Sequence, residues 1–133
     1  MAELDYAYLA DFAAVQDGKI SAIGASFTHV QTPSFPTAMT IGIAGRIRAH
    51  VGEGPVMVNV KVSAPDDSFD LELSGMLAPG DQLRPYGDGK LGLLFALNTQ
   101  VPLLAEGLYT FDILVNGEEA RRLAFDVETT PVS

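Results

Sequence analysis

The feature that most constrains this chain is a period-two alternation that continues across a tight turn. Between Gly107 and Val115, the residues Tyr109, Phe111, Ile113 and Val115 alternate with Leu108, Thr110, Asp112 and Leu114. Such alternation makes a half-buried strand, with the first set facing the core. After Asn116-Gly117, Leu123, Phe125 and Val127 alternate with Arg122, Ala124 and Asp126, so the two runs read as an antiparallel hairpin. A plain two-residue turn would set Arg122 opposite Phe111. One extra residue brings the two apolar rows together, and the sequence reading puts it in the turn, as a bulged three-residue loop with Gly117 at positive φ.

The segment just before this hairpin, Leu104-Ala105-Glu106-Gly107-Leu108-Tyr109-Thr110-Phe111, resembles the tyrosine corner of immunoglobulin-like sandwiches. There a tyrosine at the start of a late strand bonds its hydroxyl back to nearby backbone. The alternative is that Tyr109 is an ordinary core aromatic. Phe111 stands where antibody domains keep their second cysteine, and the chain has no tryptophan, so the resemblance points to a sandwich and not to an antibody-type domain.

Other runs alternate in the same way. Met39, Ile41, Ile43, Gly45 and Ile47 face one side of a long strand and Thr40, Gly42, Ala44, Arg46 and Arg48 the other. Gly42 and Gly45 imply a bend or the close approach of another backbone. Val56, Val58, Val60 and Val62 occupy every inward position of the next strand, where β-branched side chains fit best. Phe69, Leu71, Leu73 and Leu77 follow, and then Leu91, Leu93, Phe95 and Leu97, with Leu94 and Ala96 making that strand apolar on both faces. Asp5 to Val15 reads as one extended, aromatic-rich segment with Tyr6, Tyr8 and Phe12 in phase. Asp17-Gly18 turns it into a strand over Ile20 to Ala25. Gln31 to Thr37, with Pro33 and Pro36, reads as a connection between layers. The expected fold is all-β: a single domain over residues 1–133 forming an antiparallel two-sheet β-sandwich, immunoglobulin-like, of about eight strands. The tail from Glu128 to Ser133, with Pro131, is expected to fray.

The opening run Ala10-Asp11-Phe12-Ala13-Ala14-Val15-Gln16-Asp17-Gly18-Lys19-Ile20-Ser21-Ala22-Ile23-Gly24 resembles the start of a family of small uncharacterised bacterial and phage-borne proteins. The shared features are an Asp before the strand end, a Gly-Lys turn, and a second strand ending in Gly before an aromatic, here Gly24 and Phe27. The resemblance implies a compact β-sandwich without a known ligand, and it carries over nothing catalytic.

The chain has no cysteine, which excludes disulfides, thiolate metal sites and thiol nucleophiles together. Its start lacks the basic and apolar regions of a signal peptide, and a cytoplasmic location is expected. Its longest apolar runs fall short of the roughly 20 residues that span a bilayer, so no membrane association is expected. The net charge is −9. Up to Pro65 there are four Lys or Arg against five Asp or Glu, and from Asp66 onward four against twelve, so nucleic acid is not an expected partner.

Catalytic signals are absent. His29 and His50 have no Ser or carboxylate placed beside them, and Gly24-Ala25-Ser26-Phe27 lacks the second glycine of a nucleophile elbow. No cofactor is expected. Asp66, Asp67, Asp70 and Glu72 could meet as a calcium loop only if Asp81 or Asp88 folded over them, and a solvated polar face is the expected account. The informative irregularity is the long loop from Ala78 to Lys90, since hairpins need two to five residues. It carries Arg84, Tyr86 and Asp88, and Arg and Tyr are the residue types that anchor interfaces. Either this loop is a recognition surface, or it is a crossover in which Leu83 and Tyr86 cap the core. The expected function is a non-catalytic module that binds another protein or itself, as a homo-oligomer. The alternative is a small-ligand or carbohydrate-binding module using residues 79–90. Leu94, Ala96, Leu108 and Leu114 are the apolar residues left over for self-association.

Overall fold

The computed structural model describes residues 2–67, 69–79 and 83–130. These hold ten strands and no helix: β1 (Glu3–Ala10), β2 (Phe12–Gln16), β3 (Lys19–Ile23), β4 (His29–Thr32), β5 (Thr37–His50), β6 (Val56–Ser63), β7 (Asp70–Leu77), β8 (Lys90–Leu103), β9 (Gly107–Val115) and β10 (Glu118–Thr129). They form a three-stranded sheet β1-β5-β8, a five-stranded sheet β4-β10-β9-β6-β7 and the hairpin β2-β3. Ile41, Ile43, Ile47, Leu93 and Phe95 of the smaller sheet share one core with the four valines of β6 and with Tyr109, Phe111, Ile113 and Phe125 of the larger. The two sheets therefore face each other in a sandwich-like arrangement. Fully burying an aliphatic or aromatic side chain contributes roughly 1.5–3 kcal/mol, so these facing rows are the main source of stability.

The expectation of about eight strands, all antiparallel, is corrected at two places. First, the segment from Asp5 to Val15 breaks at Asp11. The Asp11 N–H bonds the Ile23 carbonyl at 2.9 Å and the Ser26 N–H bonds the Leu9 carbonyl at 2.6 Å. Gly24 lies at φ 62°, and a Cβ there would fall 2.7 Å from the Asp11 Cγ. The chain thus folds back on itself at Asp11 and sends β2-β3 out as a separate hairpin, turned as expected by Asp17 and Gly18, both at positive φ. Second, His29–Thr32 forms β4, which pairs in parallel with Asp126 to Thr129 of β10, so the larger sheet is mixed. This pairing also holds Glu128 and Thr129, which were expected to fray, and Thr130 donates to the Thr32 carbonyl at 2.8 Å. Pro131 to Ser133 lie outside the described residues.

The β9-β10 hairpin reaches the expected apolar register by a different route. Asn116 and Gly117, at φ 50° and 84°, form a plain two-residue turn that pairs Val115 with Glu118 and Leu114 with Glu119. The register then shifts between Glu119 and Arg121, so Ala120 is the extra residue and it lies within the strand. Beyond it Leu123 faces Phe111 and Phe125 faces Tyr109. Asn116 explains the tight turn. Its N–H donates to the Met57 carbonyl at 2.8 Å and its side-chain oxygen accepts from the Met57 N–H at 2.9 Å, which fastens the turn to β6. On the outward face the shift sets Arg122 against Asp112, joined at 2.6 and 3.1 Å.

The tyrosine corner forms. The buried Tyr109 hydroxyl donates to the Ala105 carbonyl at 2.8 Å and accepts from the N–H groups of Leu104 and Ala105 at 3.2 and 3.4 Å. Gly42 also behaves as its spacing implies. The β2-β3 hairpin lies across the outward face of the three-stranded sheet, and a Cβ at Gly42 would be 3.0 Å from the Ala13 nitrogen. Asn98 fixes the hairpin there by accepting from the Ala13 N–H at 3.1 Å and donating to its carbonyl at 2.8 Å. That covering explains why β8 is apolar on both faces.

Candidate functional site

The long loop does not cap the core with Tyr86. Instead Tyr86 and Lys90 exchange backbone hydrogen bonds of 2.9 and 3.3 Å around a turn in which Gly87 and Gly89 have positive φ. This small closure folds the ring back over the outward face of the three-stranded sheet, where Tyr86 stays 41% exposed. A Cβ at Gly92 would sit in ordinary contact with the Tyr86 ring, at 3.5 Å, and would crowd the Arg46 Cδ at 3.2 Å.

Arg46 is the centre of the arrangement. Its position on the polar row of β5 brings the guanidinium within 5.2 Å of the Tyr6 ring centroid and 5.5 Å of the Tyr86 ring centroid. One cation thus sits between two aromatic faces, an attraction worth about 0.5–1 kcal/mol per ring at exposed sites. Both Nε, at 2.9 Å, and Nη2 of Arg46 donate to the same Asp5 carboxylate oxygen. Asp5 reaches Arg46 because β1 changes register between Leu4 and Tyr6. The hydrogen bond from Arg46 holds the Asp5 carboxyl below its ordinary 3.8, against the smaller opposing effect of desolvation. The same bond raises Arg46. Arg48 pairs with Glu3 at 2.9 Å, and Lys90 lies 3.7 Å from the same carboxylate. Tyr6 and Tyr8 lie nearly parallel, with centroids 6.4 Å apart and planes 8° apart.

Of the residues singled out from sequence, Tyr86 joins this cluster. Arg84 is exposed two residues before it, and Asp88 is exposed at the turn between Tyr86 and Lys90. Sequence reading missed Tyr6 and Arg46. The available signal was Arg46 and Arg48 in phase on the polar row of β5, with Tyr6 and Tyr8 in phase on β1. Their meeting with Tyr86 needs two strand pairings to become visible.

The remaining candidates stay apart. Among the described residues, no three His, Asp or Glu side chains gather as a cation site. Glu72 accepts from Asn59 at 3.1 Å on the outward face of the larger sheet, while Asp67 occupies a positive-φ turn position. Asp81 lies outside the described residues. His29 meets the Thr28 hydroxyl at 3.0 Å, and the His50 N–H donates to Glu53 at 3.0 Å. Leu94 and Ala96 face outward from the smaller sheet and Leu108 and Leu114 outward from the larger, so they lie on opposite sides of the molecule and form no common patch. A separate apolar groove of about 320 Å³ runs between Val15 and Gly18 of the hairpin, Met76 and Leu77 of β7, Leu83, and Leu93 and Leu94 of β8. No helix is long and apolar enough to cross a membrane among the described residues.

A family model described as a family of unknown function (DUF6941) matches residues 5–128. A comparison with curated proteins finds no match. Among solved structures, the chain is similar to the Pseudomonas fluorescens alkylpurine DNA glycosylase AlkC bound to DNA containing an abasic site analog. The TM-score is 0.46 at 11% identity, covering 75% of this chain and 27% of that one.

Proposed function

We propose a role for this chain as a member of the family of unknown function DUF6941, to which it belongs: it is a non-catalytic module that binds another protein. Its recognition surface is the outward face of the three-stranded sheet, with Tyr86, Arg84 and Asp88 presented by the loop and Tyr6 and Arg46 by the strands beneath. The observation that carries this reading is the Arg46 guanidinium held between Tyr6 and Tyr86 and anchored by Asp5. Arg and Tyr dominate the energetics of protein interfaces, and side chains already fixed in place lose less entropy on binding.

A second reading, a carbohydrate-binding module, is favoured by one feature. The nearly parallel rings of Tyr6 and Tyr8 lie next to Arg46 and Asp5, an aromatic pair beside polar groups. The two readings separate in one experiment. Affinity capture from the source cell with mass spectrometry is run with wild type, Arg84→Ala and Tyr86→Ala, beside thermal-shift screening against sugars and calcium. A protein held by wild type and lost by both variants, with no sugar shift, supports the first reading. A sugar shift abolished by Tyr86→Ala, without protein capture, supports the second.

A further inference from the structure

We propose that the outer edge of β7 pairs antiparallel with the same edge of a second copy of this chain, joining two five-stranded sheets. Strand edges present unpaired N–H and C=O groups, and folded proteins usually blunt them. Three of the four edges of the two larger sheets are blunted. β4 has only four residues. β1 is irregular between Leu4 and Tyr6. β8 contains Pro102, and the β2-β3 hairpin is fastened to it through Asn98.

β7 is different. Its eight residues pair with β6 without a register shift and contain no proline and no lysine. Among the described residues, no strand pairs with its other side. Its inward leucines, Leu71, Leu73 and Leu77, are only half-buried, because the strand ends a five-stranded sheet faced by one of three. Met76, on its outward face, is 56% exposed and continues into the apolar groove beside Leu77.

For a second copy, the charge pattern selects the antiparallel over the parallel arrangement. The outward row reads Asp70, Glu72, Ser74, Met76, acidic at one end and uncharged at the other. Pairing the strand with itself in parallel would set carboxylate against carboxylate, whereas antiparallel pairing sets the acidic end against the neutral one. A two-fold axis through Leu73 places Met76 opposite Asp70 of the second copy, and an axis through Ser74 places it opposite Glu72. In both registers Met76 faces a carboxylate. Closed two-fold dimers are the commonest assemblies, and this contact is self-complementary in the required sense.

The test uses Met76, whose exposure leaves the fold indifferent to its replacement. Sedimentation equilibrium of the full chain should give a species of twice the 14.1 kDa monomer at high micromolar concentration. Met76→Lys should tighten the dimer and Met76→Glu should weaken it, by roughly threefold to tenfold each, since two symmetric cross-strand pairs change together. Ser21→Lys and Ser21→Glu, on the exposed β3, control for net charge and should leave the dissociation constant unchanged. The proposal is overturned by a 14.1 kDa species alone, by a dimer indifferent to the sign at position 76, or by Ser21 variants that act equally.

Discussion

Tyr109→Phe isolates the tyrosine corner from the core beneath it. The substitution keeps the ring, which is fully buried and lies 5.5 Å from Phe125 at 14° and 6.4 Å from Phe69, so no cavity opens. What it removes is a hydroxyl serving three backbone groups, those of Leu104 N–H, Ala105 N–H and Ala105 C=O. Leaving a buried polar group unsatisfied costs about 1–3 kcal/mol, and a net hydrogen bond contributes about 1 kcal/mol. Leu104 is exposed and Ala105 half-buried, so water can reach part of this backbone, which places the expected loss at about 1–2 kcal/mol. In a domain of this size that lowers Tm by roughly 3–8 °C. Urea titrations of wild type and variant, analysed by linear extrapolation with equal slopes, measure it directly. A loss below about 0.3 kcal/mol would mean that the corner is geometry without energetic weight and that Tyr109 acts as an ordinary core aromatic.

Other consequences follow from facing and charge. Phe111→Ala should cost about 3–5 kcal/mol because it empties a fully buried position, whereas Asp112→Ala, which loses an ion pair to the largely exposed Arg122, should cost under about 1 kcal/mol; equal effects in denaturant titrations would refute the facing. Asp5 has a depressed pKa, so its contribution is fully present above the ordinary 3.8 and is lost as pH falls through the lowered value. Tm should therefore drop less between pH 5 and about pH 2.5 in Asp5→Asn than in wild type, and an equal drop would contradict the Arg46 pairing.

Strand identity and facing were legible because they depend on local periodicity. The valines of β6, the inward row of β5 and the alternation of β9 all face as their spacing dictates. The need for one extra residue in the last hairpin was also legible, since only that aligns Phe111 with Leu123. Its position was not. Asn116 is held by Met57, nearly 60 residues away, so the turn stays tight and the strain of register passes to Ala120. The same limit hid β4, a four-residue strand whose partner β10 lies at the other end of the chain. In the candidate site, the long loop marked Tyr86 by length and composition. Its companions Tyr6 and Arg46 come from strands 80 and 40 residues earlier, and only the β1-β5-β8 pairing brings the three together.

That assembled surface is what the functional proposal rests on, and the affinity of a captured partner for Tyr86→Ala measures it most directly. Tyr86 lies outside the core and is 41% exposed, so its removal should lower stability by no more than about 1 kcal/mol, chiefly the lost contact with Arg46. An interface anchor of this kind typically costs 2 kcal/mol or more when truncated, which is roughly a thirtyfold loss of affinity. The account predicts that calorimetric titration of the purified partner shows a loss of at least about tenfold for Tyr86→Ala, with Tm lowered by only a few degrees. Affinity within about twofold of wild type for a variant that folds normally would contradict it.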